Sequence, residues 1–165
     1  MTGREVHGQG AAARGAAARG AAAQDVTTTR TTAAGEVLPS RTLPISRDDL
    51  RRYAEASGDH NPIHLDDAAA QALGLPGVVA HGMLTSALAI GVVAEWAGGA
   101  DRVVATSFRF AGPVVVPADE PARLEVAGSV RKVAEDGSTA DVALAVTCGG
   151  SKVFGKAIVT VSLAG

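Results

Sequence analysis

Aromatic side chains are scarce. Three Phe, one Tyr and one Trp make up 3% of 165 residues, although the apolar fraction is 47%. The core must therefore be assembled from Val, Ala, Leu and Ile. Small side chains bury less area each than aromatic ones, which favours added stability from an oligomer interface. A single cysteine, Cys148, excludes an internal disulfide and fits a reducing, cytoplasmic setting. No apolar run reaches the ~18 residues of a membrane-spanning helix. The N-terminus lacks the apolar segment of a secretory signal. Net charge is −2, without a basic patch, a zinc-ligand pattern or aromatic–basic interleaving, which excludes the common nucleic-acid readers.

What is present divides into a tail and a body. Residues 1–36 are low-complexity, with AAARG at 11–15 and again at 16–20, then a Thr-rich stretch. Nothing there buries enough surface to offset the entropy of ordering, so disorder is expected. Residues 37–165 read as one domain. A short extended segment, 41–45, leads to a helix over 47–56 with Ser46 as N-cap and Asp48 and Asp49 in its first turn. Gly58 ends it, and the turn 59–62 follows, with Pro62 forcing Asn61 out of the helical region. A second short helix is expected over 66–73, stopped by Gly74 and Pro76. Residues 82–97 are apolar nearly all round, the pattern of a buried helix, with Met83 and Trp96 in its core. Gly98 and Gly99 terminate it. Alternating segments over 103–112, 122–136, 139–148 and 152–163 read as strands, with a hairpin turn at 135–138. Three long strands in hairpin order give an antiparallel meander, and with the long helix an α+β layered fold.

The chemistry concentrates between Tyr53 and Leu88. Asp59, Asn61 and His64 fall within six residues around a proline. On a helix, positions 59 and 64 point apart; on a turn they can converge on one water molecule. A carboxylate and an imidazole so placed can take a proton from one atom and deliver one to another. Gly82, opening the apolar helix, offers free backbone N–H groups and the positive end of a helix dipole to an oxyanion. Each residue also has a plainer use. Asp59 can close an Asx-turn, and His64 can be a hydrogen-bonded loop histidine. Gly82 can serve tight helix–strand packing, and His81 beside it can be a packing or hydrogen-bonding residue rather than an acid–base group. Asp66 and Asp67 fit the start of the second helix better than a metal site, because no second ligand-rich cluster accompanies them. Arg109 reads as a strand-surface residue, and Lys152 and Lys156 as solvent-facing.

GDHNPIHLDD followed by AHGMLTSAL resembles the hydratase-2 signature of the MaoC-like dehydratases. FRFAGPVVVP (108–117) and GGSKVFGKA (149–157) are similar to later strands of that family, and the likeness covers about 41–164. It lies nearest to the catalytic B-subunit branch of heterodimeric dehydratases of actinobacterial type II fatty-acid synthesis. The resemblance implies a single hot-dog domain, with an antiparallel sheet wrapped around a long central helix. It also implies a hydro-lyase, a (3R)-3-hydroxyacyl thioester dehydratase or trans-2-enoyl thioester hydratase working on acyl-carrier-protein or CoA thioesters, in fatty-acid synthesis. Carried over by residue, it makes Asp59 and His64 the catalytic pair, Asn61 a supporting pocket residue, and Gly82 N–H the donor to the thioester oxygen. No metal or other cofactor is implied. A hot-dog dimer is, either with a second copy or with a related subunit lacking the Asp/His pair.

Two other function classes remain. A hot-dog thioesterase would need a carboxylate on the central helix, where Glu95 is the sole acid and sits at the end away from Gly82. A non-catalytic partner subunit would have no use for Asp59 and His64.

Overall fold

The computed structural model describes residues 30–164. Most of the expected tail, residues 1–29, therefore lies outside the described residues. Residues 30–36, counted with the tail from sequence, lie along the domain. Arg30 N–H donates to Leu163 O at 3.2 Å and Gly35 N–H to Val130 O at 2.8 Å. The Arg30 guanidinium stacks 4.1 Å from the Trp96 ring centroid. Glu36 accepts from Arg30 at 3.0 Å and from Trp96 Nε1 at 3.2 Å.

The elements in order are β1 (Val37–Ile45), α1 (Arg47–Ser57), a 3-10 turn (Pro62–His64), α2 (Asp67–Ala72), α3 (Gly82–Ala97), β2 (Val103–Phe110), β3 (Ala122–Val133), β4 (Thr139–Cys148), β5 (Ser151–Lys152) and β6 (Phe154–Ser162). The sheet runs β1-β3-β4-β6-β2, with the short β5 paired beside β4, and all pairs are antiparallel. The expected meander is β3-β4-β6. β2, which precedes it in sequence, closes one edge against β6, and β1 closes the other against β3. β1 is longer than the sequence suggested, because Pro39 and Ser40 interrupt the alternation. The pairing with β3 absorbs them as an irregularity between Leu38 and Arg41 and keeps Leu38 buried.

The sheet curls around α3, whose buried side carries Thr85, Ser86, Ala89, Val92, Val93 and Ala94. Each fully buried valine here contributes roughly 1.5–3 kcal/mol. β3 alternates strictly, with Leu124, Val126 and Val130 inward and Arg123, Glu125 and Ala127 outward. α3 is nevertheless not buried all round. Met83, Ala87, Gly91 and Glu95, four residues apart, form one exposed stripe. Met83 is 65% exposed, which corrects its assignment to the core, and Trp96 is half-buried.

One irregular segment positions the site. Residues 77–80 cross the interior without belonging to a strand, and all four are buried. Buried backbone polar groups need partners, and each partner here is specific. Ala80 N–H donates to Val114 O at 2.8 Å, and Val116 N–H to Val78 O at 2.9 Å. Val79 N–H donates to Ile63 O at 3.1 Å, and Val78 N–H to Asp67 Oδ1 at 2.9 Å. Asp67 is itself gripped by both terminal nitrogens of Arg47, at 2.9 and 3.1 Å, while Arg47 Nε donates to Val116 O at 2.6 Å. Hydrogen bonds from Arg47 and then from Val78 N–H hold the Asp67 carboxyl below its usual range.

Asp67→Ala is expected to lower the thermal midpoint and to speed hydrogen exchange at the Val78 amide. Asp67→Asn, which keeps the acceptor oxygen, should do less. Because the folded-state pKa is depressed, the wild-type advantage should be full above the unfolded carboxylate value and vanish as pH falls through the folded one.

Candidate active site

α1 places the site's first residue. Ser46 and Asp49 form a reciprocal capping box at its start, and Gly58 ends it in a left-handed conformation, φ 75°. The chain turns there into Asp59. Asn61 N–H donates to Asp59 Oδ1 at 3.3 Å, and Ile63 N–H to Asn61 Oδ1 at 3.3 Å. The plain Asx-turn reading of Asp59 is therefore satisfied, at the cost of one lone pair, and the carboxylate stays exposed. Asn61 caps the Pro62–His64 turn, which throws His64 inward to 9% exposure.

His64 Nδ1 lies 2.7 Å from Val79 O. A carbonyl oxygen accepts only, so Nδ1 carries the proton. The neutral ring then presents Nε2 as an acceptor, the form a general base needs. As with Asp59, one atom holds the turn and another is left for chemistry.

Asp59 and His64 converge as expected, and a third residue joins them. Asp59, His64 and His81 each bring one donor-type atom within 4.8 Å of the others. His81 is 1% exposed. Its ring stacks on His64 at a centroid distance of 3.9 Å and tilts against Tyr53 at 4.8 Å. His81 Nε2–H donates to the Asp59 backbone carbonyl at 3.0 Å. Its Nδ1 is buried without a hydrogen-bond partner, at a cost of about 1–3 kcal/mol. Burial pushes the His81 pKa down and the adjacent His64 adds to that, outweighing the opposite pull of Asp59. As metal ligands the three fit poorly. His64 Nδ1 and His81 Nε2 are committed to backbone carbonyls, and His81 Nδ1 is sealed from solvent. His64 Nε2 and the Asp59 carboxylate remain, fewer than the three protein ligands of a catalytic zinc site.

Gly82 opens α3 directly after His81. The three helices differ at their N-termini: Ser46 caps α1, Asp66 caps α2, and no side chain caps α3. Thr85 and Ser86 hydroxyls both donate to Gly82 O, at 2.7 and 3.0 Å, and pin the first turn. A Cβ on Gly82 would sit 2.9 Å from the Phe110 ring, so the packing use of this glycine is also real. Gly82, Thr85, Phe110, Gly112, Pro113 and Val153 help line a pocket of about 340 Å³. A hollow of about 380 Å³ across β1, β3 and β4, near Arg41 and Glu125, holds no acid–base pair. His81 is the packing and hydrogen-bonding residue that the sequence suggested; sequence reasoning passed over Phe110. The signal for Phe110 was its position among so few aromatics, in a strand followed at once by Gly112-Pro113.

The MaoC like domain model matches residues 28–147. The chain belongs to this family. Over 80 residues, 48% of this chain and 28% of the relative, it is 45% identical to 3-hydroxyacyl-thioester dehydratase X of Mycobacterium tuberculosis. Among solved structures, a MaoC-like dehydratase superposes with TM-score 0.76 at 37% identity, covering 79% of this chain and 40% of that one. The HadBC (3R-hydroxyacyl-ACP dehydratase) complex of M. tuberculosis superposes with TM-score 0.62 at 22% identity, covering 79% of this chain and 98% of that one, a likeness of fold. The chain thus spans well under half the length of the first two. Its hot-dog architecture agrees with all these structures.

His81 makes stability depend on pH. Its folded-state pKa lies below the unfolded value, so the unfolded chain binds more protons as pH drops. The stabilisation it adds is therefore full above about pH 6.5 and declines as pH falls below that. Replacing His81 with Phe is expected to flatten this limb of the thermal midpoint–pH curve below pH about 6.5. An unchanged slope would contradict the assignment.

Proposed function

We propose that this chain is a hydro-lyase that interconverts (3R)-3-hydroxyacyl and trans-2-enoyl thioesters, carried on CoA or an acyl-carrier protein, in cytoplasmic fatty-acid synthesis. The observation that carries the reading is the 2.7 Å contact of His64 Nδ1 with Val79 O, which puts the proton on Nδ1 and leaves Nε2 as a base, in a ring that lies in one cluster with the Asp59 carboxylate. Family membership and the 3-hydroxyacyl-thioester dehydratase relative support it.

The thioester carbonyl oxygen sits at the uncapped first turn of α3, where Gly82 N–H and the helix dipole stabilise the negative charge that develops on it. That acidifies C2. His64 Nε2 takes the C2 proton, the C3–O bond breaks, and the imidazolium returns the proton to the departing oxygen, which leaves as water. Asp59 accepts a hydrogen bond from the leaving hydroxyl and favours the transient imidazolium. The protein ends in its starting protonation state. Asn61 keeps the turn in shape through its cap. Hydration runs the same steps backwards. This chemistry calls on no metal or other cofactor.

The thioesterase reading loses ground on geometry. Glu95 lies thirteen residues along α3 from Gly82, about 20 Å at 1.5 Å per residue, and is bridged to Arg41 at 3.1 Å.

The same reading includes a hot-dog partner, either a second copy or a related subunit without the Asp/His pair. β2 bonds to β6 on one side and, among the described residues, presents a free edge on the other. Residues 104–107 and 109–110 are exposed, with Val104 at 56% and Phe110 at 50%. A long edge strand with apolar residues is a template for another chain. The Met83–Ala87–Gly91 stripe of α3 adds a face of mostly small residues for helix-to-helix approach. The partner is read as pairing along β2 to give a continuous sheet.

The direct test is loss of enoyl-thioester absorbance with crotonyl-CoA. Asp59→Asn and His64→Ala are each expected to reduce turnover by about 10²–10⁴, with the fold intact by circular dichroism. Near-normal turnover in either variant would remove the assignment, and release of free thiol instead of hydration would favour the thioesterase.

The partner surface is tested separately. A side chain at Gly91 meets nothing within 4 Å in the single chain, so Gly91→Leu should fold. Light scattering is expected to show a dimer for the wild type and a monomer for Gly91→Leu. A monomeric wild type would count against the surface.

A further inference from the structure

We infer that His81 is a positioning residue, which fixes the Asp59 turn, the His64 ring and the Gly82 donor relative to one another; the inference rests on the hydratase reading above.

The turn that carries Asp59 is weakly attached to the body. Gly58 N–H donates to Ala54 O at 2.8 Å, Asp59 N–H to Ser57 Oγ at 3.2 Å, and Asn61 N–H to Asp59 Oδ1 at 3.3 Å. His60 lies 3.8 Å from Glu55. All these partners are within five residues in sequence. Among the described residues, the hydrogen bond that ties residues 58–60 to a distant part of the chain is His81 Nε2–H to Asp59 O, at 3.0 Å and 22 residues' separation.

The other face of the same ring stacks on His64, 3.9 Å between centroids and 29° between planes. Tyr53, from α1, closes the ring in at 4.8 Å. The backbone of His81 then leads straight into Gly82 as the N-cap residue of α3, yet its side chain makes no capping hydrogen bond. One residue thus touches the carboxylate's turn with an N–H, the base with its ring, and the oxyanion donor through a peptide bond.

The protonation state suits this task. Tyr53, Asp59 and His64 are the titratable groups against the ring. A proton on Nδ1 would be buried with no acceptor, so the neutral Nε2–H tautomer is the form the surroundings admit. A fixed tautomer gives a fixed donor, and the Asp59 carbonyl is held in one place.

The test separates tether from packing. Gln at 81 keeps an amide N–H at the reach of Nε2 but loses the stack; Phe keeps the ring and loses the donor. In crotonyl-CoA hydration, His81→Phe is expected to lose about tenfold or more in kcat with KM within about twofold of wild type, and His81→Gln to recover to within about threefold. Turnover of His81→Phe within about twofold of wild type would overturn the inference. So would equal losses in both variants.

His64→Ala is run alongside. If it and the wild type are equally inactive, crotonyl-CoA turnover does not report on the lone chain, the hydratase reading passes to an assay with a hot-dog partner present, and the tether is judged without turnover. In that case, imidazole ¹⁵N spectra of the wild type should still place the His81 proton on Nε2. Amide exchange at residues 58–61 should be faster in His81→Phe. A proton on Nδ1, or unchanged exchange, would overturn the tether itself.

Discussion

The site depends on satisfying four buried residues that belong to no strand. The 77–80 segment must pass under α3's N-terminus to deliver Gly82, and it has no regular ladder to supply its hydrogen bonds. The fold recruits partners for Val78, Val79 and Ala80: Val114 and Val116 from the loop before β3, Ile63 from the 3-10 turn, and the Asp67 side chain from α2. Arg47 then ties Asp67 to Val116 O and so locks three separate elements together. His64 enters this scheme as one more donor, to Val79 O. The imidazole proposed as the base is therefore oriented by a bond that the backbone needs in any case, and orientation and tautomer follow from the same contact.

Stability is given up in one small region. An N-cap side chain is worth ~1 kcal/mol. The fold uses one at α1 and another at α2, and omits it at α3, the longest and most buried helix. The orphaned His81 Nδ1 adds a second deficit within one residue of the first. Two unmet local rules side by side are what a functional site shows when the surrounding structure over-determines it. The over-determination is visible in Thr85 and Ser86, which hold the uncapped turn through Gly82 O and leave its N–H groups free.

Local chemistry was legible in the sequence where a single residue decides the outcome. Ser46, Gly58, Gly98 and the Gly149-Gly150 pair mark element boundaries because caps and positive φ angles are strong, short-range constraints. The convergence of Asp59 and His64 was legible because Pro62 forbids the helix that would separate them. Pairwise facts across the chain were not. Nothing in the strand patterns says that β2 pairs with β6, since alternation fixes which face is buried and not which neighbour lies beside it. Met83 looked like core because the exposed stripe of α3 is itself apolar: Met83, Ala87 and Gly91 carry no polar signal, and a face that awaits a partner reads the same as a buried one. His81 was legible as a packing or hydrogen-bonding residue, but its partner, Asp59 O, lies 22 residues away and could not be read.

The scarcity of aromatics and the open edge are parts of one argument. Phe108 and Phe110 reach the same ring, Phe154, with centroids 5.0 and 5.3 Å from it, so all three Phe of the protein are gathered at one end of β2. Phe108 is drawn inward there, while Phe110 stays half-exposed over Gly82 and lines the pocket. A chain with so little aromatic surface that leaves such a residue at a strand edge has left the packing incomplete. A second hot-dog chain paired along β2 would lie directly beside Phe110, bury it, and with it roof the pocket next to the oxyanion donor. In the proposed reaction, excluding water there would strengthen the N–H and dipole interactions that acidify C2. On this reading the interface and the proposed active site are not two features. The edge that leaves a lone chain incomplete as a fold would also leave it incomplete as the proposed catalyst.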